Sequence, residues 1–148
     1  MHGLADGIFW SGVFAFVSAS INAIKTGVNN YASRQKELVE EYIKKYAKNT
    51  KDAEQIYNSF EGKIKIKTSR GLKAHRYYDG NNAFEKGRYL TTKPTAYPIK
   101  DLVLKNNAAT KHIVLEIAKG KQYLVGKIAG SPVKAVQIFV GQVSWLLP

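Results

Sequence analysis

Apolar residues between Tyr31 and Lys48 return at helical spacing. Leu38, Val39, Tyr42, Ile43 and Tyr46 fall on one face, and Glu40, Glu41, Lys44, Lys45 and Lys48 take the other. Glu40 and Glu41 precede Lys44 and Lys45 by four residues, the favourable order for ion pairs on a helix. Asn49 or Thr50 can cap a second, shorter helix whose apolar face is Ala53, Ile56, Tyr57 and Phe60. After Gly62 the period changes to two. Lys63-Ile64-Lys65-Ile66-Lys67 alternates strictly, which predicts a strand with isoleucines on one face and lysines on the other.

Further strands are predicted at Ala74–Tyr78, closed by the turn signal Asp79-Gly80-Asn81-Asn82, and at Arg88–Thr92. Pro94 and Pro98 predict an irregular stretch after them. His112–Ala118 and Gln122–Ile128 flank Lys119-Gly120-Lys121, which reads as a hairpin. Ala135–Val140 makes a sixth strand, and Val143–Leu147 can continue the sheet. The expected fold class is α+β: helices first, then a mainly antiparallel sheet of about six strands.

Residues 1–30 stand apart. Gly7–Ile24 carries no charge and is diluted by Ser11, Ser18, Ser20 and Asn22, with no Lys/Arg cluster before it to make a signal peptide. Its apolar residues surround the helix instead of forming a stripe, so burial, membrane contact and a packing remnant of a longer parent all compete. Gly27-Val28-Asn29-Asn30 then breaks the pattern. The organisation expected is a leader over 1–30 and a domain over 31–148, with helices in 31–60 and sheet in 62–148.

Charge sharpens this division. Of 148 residues, 23 are Lys or Arg and 11 are Asp or Glu, for a net charge of +12. Through Glu61 seven basic residues balance seven acids, whereas from Gly62 to Lys134 sixteen basic residues face only Asp79, Glu85, Asp101 and Glu116. A sheet this basic suits a polyanionic partner, nucleic acid or an acidic protein, or else uses its lysines to solvate and protect its edges.

Composition also removes chemistries. There are no cysteines, hence no disulfide scaffold, thiolate zinc site or cysteine nucleophile. The three histidines, His2, His75 and His112, have no ligand spacing, and the basic half is poor in carboxylates, so metal-dependent catalysis is not expected. No phosphate-binding glycine loop or nucleophile elbow is present. The densest polar cluster is Lys73-Ala74-His75-Arg76-Tyr77-Tyr78. In a metal-independent ribonuclease, His75 and His112 would act as general base and acid, and Lys73 or Arg76 would meet the phosphorane charge.

His75-Arg76-Tyr77-Tyr78 followed by Gly87-Arg88-Tyr89-Leu90-Thr91-Thr92 resembles the opening of toxin domains at the ends of bacterial polymorphic effectors, of the Rhs and contact-dependent inhibition type. Asn106-Asn107-Ala108-Ala109, Ile117-Ala118-Lys119-Gly120, Val125-Gly126-Lys127-Ile128-Ala129 and Ala135-Val136-Gln137-Ile138 fit the same pattern. The order Arg76, then Gly87-Arg88-Tyr89-Leu90-Thr91, then Gln137 is similar to the ADP-ribosyltransferase-like group, above all the tuberculosis necrotizing toxin group that splits NAD.

That resemblance implies NAD as substrate, without a metal, with ADP-ribose either transferred to an acceptor such as nucleic acid or released to water. It implies that Arg76 holds the dinucleotide phosphates, Tyr89 stacks beside nicotinamide, Thr91 braces the pocket wall and Gln137 hydrogen-bonds the ribose. Tyr78, Arg88 and Thr92 complete the substrate-binding set. Gln137 stands where many ADP-ribosyltransferases carry a glutamate, and a carboxamide cannot act as a base. A delivered effector acting in a target-cell cytoplasm, and an acidic cognate immunity protein, follow from the same resemblance. The rival implied by the layout is a tRNA-cleaving effector of the barnase, EndoU, colicin or RelE type.

Overall fold

A computed structural model describes residues 31–148, and the chain divides into two compact units with the boundary between Ser59 and Phe60. The expectations for Gly7–Ile24 lie outside the described residues. In the first unit, helix α1 spans Tyr31–Tyr46 and α2 spans Thr50–Asn58. Val39, Tyr42 and Ile43 of α1 and Ala53 and Ile56 of α2 are buried, as the helical period predicts. Asn49 caps α2: its side-chain oxygen accepts from the Asp52 N–H at 2.8 Å, and Asp52 Oδ2 accepts from the Lys48 N–H at 2.9 Å. Two N–H groups at the helix entrance thereby gain partners. Phe60, expected on the helical face, instead opens the sheet, because Ser59 ends the helix by donating its N–H to Gln55 and Ile56 oxygens.

The second unit is a seven-stranded antiparallel sheet in the order β1-β5-β6-β3-β2-β4-β7. Its strands are β1 Phe60–Thr68, β2 Lys73–Tyr78, β3 Tyr89–Thr91, β4 Lys111–Ile117, β5 Gln122–Ile128, β6 Val136–Val140 and β7 Leu146–Leu147. A short helix, α3, spans Pro98–Asp101, where irregular chain was expected. Proline at its first turn has no N–H that the helix would need. Val143–Trp145 is a 3-10 turn rather than strand, leaving Leu146 and Leu147 to pair with β4.

The hairpin expected at Lys119-Gly120-Lys121 does not form, since β4 and β5 are separated by β6, β3 and β2. The pairings show a different device. Thr68 pairs with Gln122, and Lys73 pairs with Glu116. Between them the Ser69 N–H donates to Lys121 O (2.8 Å), Gly120 N–H to Ser69 O (2.9 Å) and Ile117 N–H to Leu72 O (2.8 Å). Residues 60–78 and 111–128 are thus two long paths running side by side through a shared corner. Gly71 and Gly120, at φ +96° and +86°, supply the left-handed backbone the corner needs. Strands β6 and β3 bridge the two arms.

Alternation gives the sheet two unlike faces. Ala74, Leu90, Leu115, Ile117, Tyr123, Ile138, Val140 and Leu146 form one buried cluster. The register places His75, Thr91, Gln137, Phe139 and Leu124 on the other face. Lys63, Lys65 and Lys67 are exposed on β1, an edge strand, where charge discourages pairing with another chain.

Candidate active site

One row of register partners crosses the middle of the polar face: Val114, His75, Thr91, Gln137 and Gly126, on β4, β2, β3, β6 and β5. A crevice opens above it, lined by His75, Arg76, Tyr77, Tyr89, Leu90, Thr91 and Gln137, and walled by Leu102, Leu104 and Ile128. Gln137 is only 6% exposed. Thr91 Oγ1 donates to Val136 O at 3.0 Å, tying its hydroxyl to the neighbouring strand. A side chain at Gly126 would meet Phe60 Cδ1 at 2.8 Å, so glycine lets that ring lie against the sheet beside Gln137.

Tyr89 precedes Thr91 by two residues and shares its face. Its ring meets Phe139 edge-on at 5.2 Å, and the Arg88 guanidinium lies 5.2 Å over the same Phe139 ring. On the other side of the row, Tyr77, His112 and His75 form a ladder of nearly parallel rings, with centroids 4.5 and 5.1 Å apart. His75 Nδ1 and His112 Nε2 are 2.9 Å apart, a hydrogen bond between imidazoles. Burial, and secondly the neighbouring His112, lower the His75 pKa below its ordinary 6.5. The Tyr77 hydroxyl donates to Thr95 O and accepts from the Thr95 N–H, and the Thr95 hydroxyl donates to Asp101. That chain anchors the segment leading into α3 and the crevice wall.

Arg76 and Gln137 both border the crevice, but the register sends their side chains to opposite faces of the sheet. Arg76 follows His75 in a regular strand, and His75 shares the row with Gln137, so the arginine side chain leaves from the opposite face. Its Nε donates to Phe84 O and its Nη1 to Tyr89 O, both at 3.1 Å. The guanidinium packs against Gly87, whose missing side chain leaves the space. Arg76 therefore braces the 79–88 segment. Asp79 braces it from the other end, with Oδ1 accepting from the Asn81, Asn82 and Ala83 N–H groups and Oδ2 from Ala108.

The other expected residues divide between the faces. Tyr78 sits on the Arg76 side, with Lys111 Nζ 6.0 Å from its ring centroid. Thr92 follows β3 and donates its N–H to Val136 O. Lys73 shares the His75 face at the strand's start, exposed, and its register partner is Glu116. The crevice lining holds no lysine among the described residues. Leu102 and Leu104 escaped the sequence reading, since apolar loop residues carry no chemical signature. Between them Val103 adopts φ +53°, uncommon for a β-branched residue.

Neither a protein-family model nor a curated protein sequence matches the chain. The fold has a solved counterpart in the structure of Tse6 in complex with Tsi6. It aligns with a TM-score of 0.60 and 18% identity, over 81% of this chain and 98% of that one. The chain is an α+β protein, and at that identity the likeness to Tse6 establishes its fold.

Proposed function

We propose that the chain is an NAD-cleaving effector toxin domain of the ADP-ribosyltransferase-like kind, delivered into a target-cell cytoplasm. Residues 31–148 form the toxin domain in this reading. The observation that carries it is the buried Gln137 carboxamide in a central strand, level with Thr91 and His75 beneath an open crevice. Gln137 holds the nicotinamide ribose, Tyr89 stacks beside the nicotinamide ring and Thr91 forms the floor. Departure of nicotinamide leaves an oxocarbenium-like sugar, so alignment of the ribose and exclusion of bulk water do most of the work. Arg76, which borders the crevice, and Arg88, whose guanidinium lies over Phe139, are the two cations this reading offers to the dinucleotide phosphates.

The ribonuclease reading loses support from the imidazole geometry. A base and an acid acting on one phosphodiester must stand on opposite sides of the phosphorus. His75 and His112 hydrogen-bond directly to each other at 2.9 Å, with no room between them. An acidic immunity protein is the partner this reading expects. The net charge of +12 favours such a surface, and Tse6, which shares the fold, is seen in complex with Tsi6.

The test incubates purified protein with NAD, and separately with total RNA, in the presence of chelator. Nicotinamide release that is lost in Gln137→Ala is the expected result. RNA fragments without nicotinamide release would overturn the proposal.

A further inference from the structure

We infer that His75 Nε2 is the proton acceptor for the water that attacks the ribose C1′, with His112 holding the imidazole in the required orientation. This rests on the NAD-cleaving reading and makes water, not a macromolecular acceptor, the recipient of the ADP-ribose. The site needs such a group because Gln137 has no basic lone pair to offer and Thr91 donates its hydroxyl to Val136 O.

Position supports the assignment. Gln137 and His75 flank Thr91 in one row, each one strand away from it. Two strand spacings separate them by roughly 9.6 Å. A small residue between two larger ones makes a saddle in which a sugar can sit, with the carboxamide on one side and the imidazole on the other. His75 Nδ1 bonds to His112 Nε2, and among the described residues Nε2 of His75 has no hydrogen-bond partner. With the shared proton on Nδ1, Nε2 presents a lone pair to the crevice that His75 lines.

The chemistry balances without a further reagent. The bond from C1′ to the nicotinamide nitrogen breaks, and its electron pair leaves with neutral nicotinamide. Water oxygen bonds to C1′ while its proton passes to His75 Nε2. The imidazolium then returns that proton to solvent, and the products are nicotinamide, ADP-ribose and a proton.

The groups around His75 set its titration. On β2 these are Lys73 and Tyr77, and on β4 they are His112 and, two pairs along the ribbon, Glu116. On β3 only uncharged Thr91 and the phenol of Tyr89 share the face. Burial and His112 both lower the His75 pKa, which keeps the ring neutral and basic near pH 7.

The experiment measures kcat and KM for nicotinamide release from NAD by the full chain between pH 4.5 and 8.5. Wild type, His75→Gln and His112→Phe are compared, with melting temperature recorded for each. Wild type should lose activity in acid with an apparent pKa below 6.5. His75→Gln should lower kcat by about 10²–10⁴-fold with little change in KM, and should abolish the acid limb. His112→Phe keeps the ring ladder but removes the charge repulsion, so the limb should move up towards 6.5.

An unchanged acid limb or kcat in His75→Gln overturns the assignment while leaving NAD cleavage standing. If His75→Gln does not fold, a stationary limb in His112→Phe overturns it equally. A wild type that releases no nicotinamide overturns both.

Discussion

The same three strands, β2, β3 and β6, carry two unlike surfaces. Ala74, Leu90 and Ile138 on one face are all but fully buried in the apolar cluster. One residue along each strand, His75, Thr91 and Gln137 form a polar row on the other face. Burying polar side chains in the middle of a sheet costs free energy unless each finds a partner. Among the described residues no buried side-chain nitrogen or oxygen lacks one. The sheet therefore maintains a polar row whose buried atoms are satisfied, where apolar residues would pack as well. This contrast is the strongest physical argument that the second face exists for a ligand and the first for stability.

Adjacent residues on β6 test that division most severely. Ile138→Ala removes a side chain with no exposed surface and should cost about 2–5 kcal/mol of stability, with activity per folded molecule retained. Urea titration followed by circular dichroism measures the first, and nicotinamide release scaled to the folded fraction measures the second. Gln137→Ala should do the reverse. Loss of a hydrogen bond aimed at the reacting sugar should lower kcat by about 10²–10³-fold, with a smaller change in urea midpoint. If the two substitutions behave alike, the two faces do not divide stability from chemistry.

Much of this was legible in the residue pattern, and the failures have specific causes. The period change at Gly62 marked the passage from helix to sheet, and Gln122–Ile128 was bounded correctly. Arg76, Tyr89, Thr91 and Gln137 all border one crevice. The pairing of strands was not legible, because Gly120 supplies the same left-handed backbone to a corner as to a hairpin. Only the distant partners of β4 and β5 distinguish the two. For Arg76 the spacing did not show strand parity. Its cationic side chain suited a dinucleotide phosphate, yet register with His75 commits it to the opposite face. His75 and His112 were paired in the sequence as a ribonuclease base and acid, but nothing in their spacing of 37 residues foretells that the two imidazoles bond directly to each other.

Arg76 gives a weaker but more pointed test, because two accounts of it disagree. As a brace it holds the carbonyls of Phe84 and Tyr89, so Arg76→Lys should cost about 1–2 kcal/mol through the lost charge-assisted bond. Limited proteolysis should then cut more readily between Asp79 and Arg88, with KM for NAD little altered. A large rise in KM with unchanged proteolysis would restore it to the substrate's side.

The smallest effect concerns the other end of that segment and is separated from the rest by pH. Four backbone N–H groups donate to the Asp79 carboxylate, which holds its pKa far below the ordinary 3.8. The unfolded chain binds this proton more readily than the folded one, so the contribution is fully present above 3.8 and drains away as pH falls below it. Asp79→Asn keeps an acceptor oxygen for the turn but presents no carboxylate to the Ala108 N–H. The variant should melt slightly below wild type at pH 6, and the gap should close as the pH approaches 2. The substitution removes this carboxylate alone, so the difference between the two proteins reads this one group. A gap that stays constant across that range would mean that the turn owes its stability to shape alone, and that Asp79 does not answer Arg76 as the second brace of the segment.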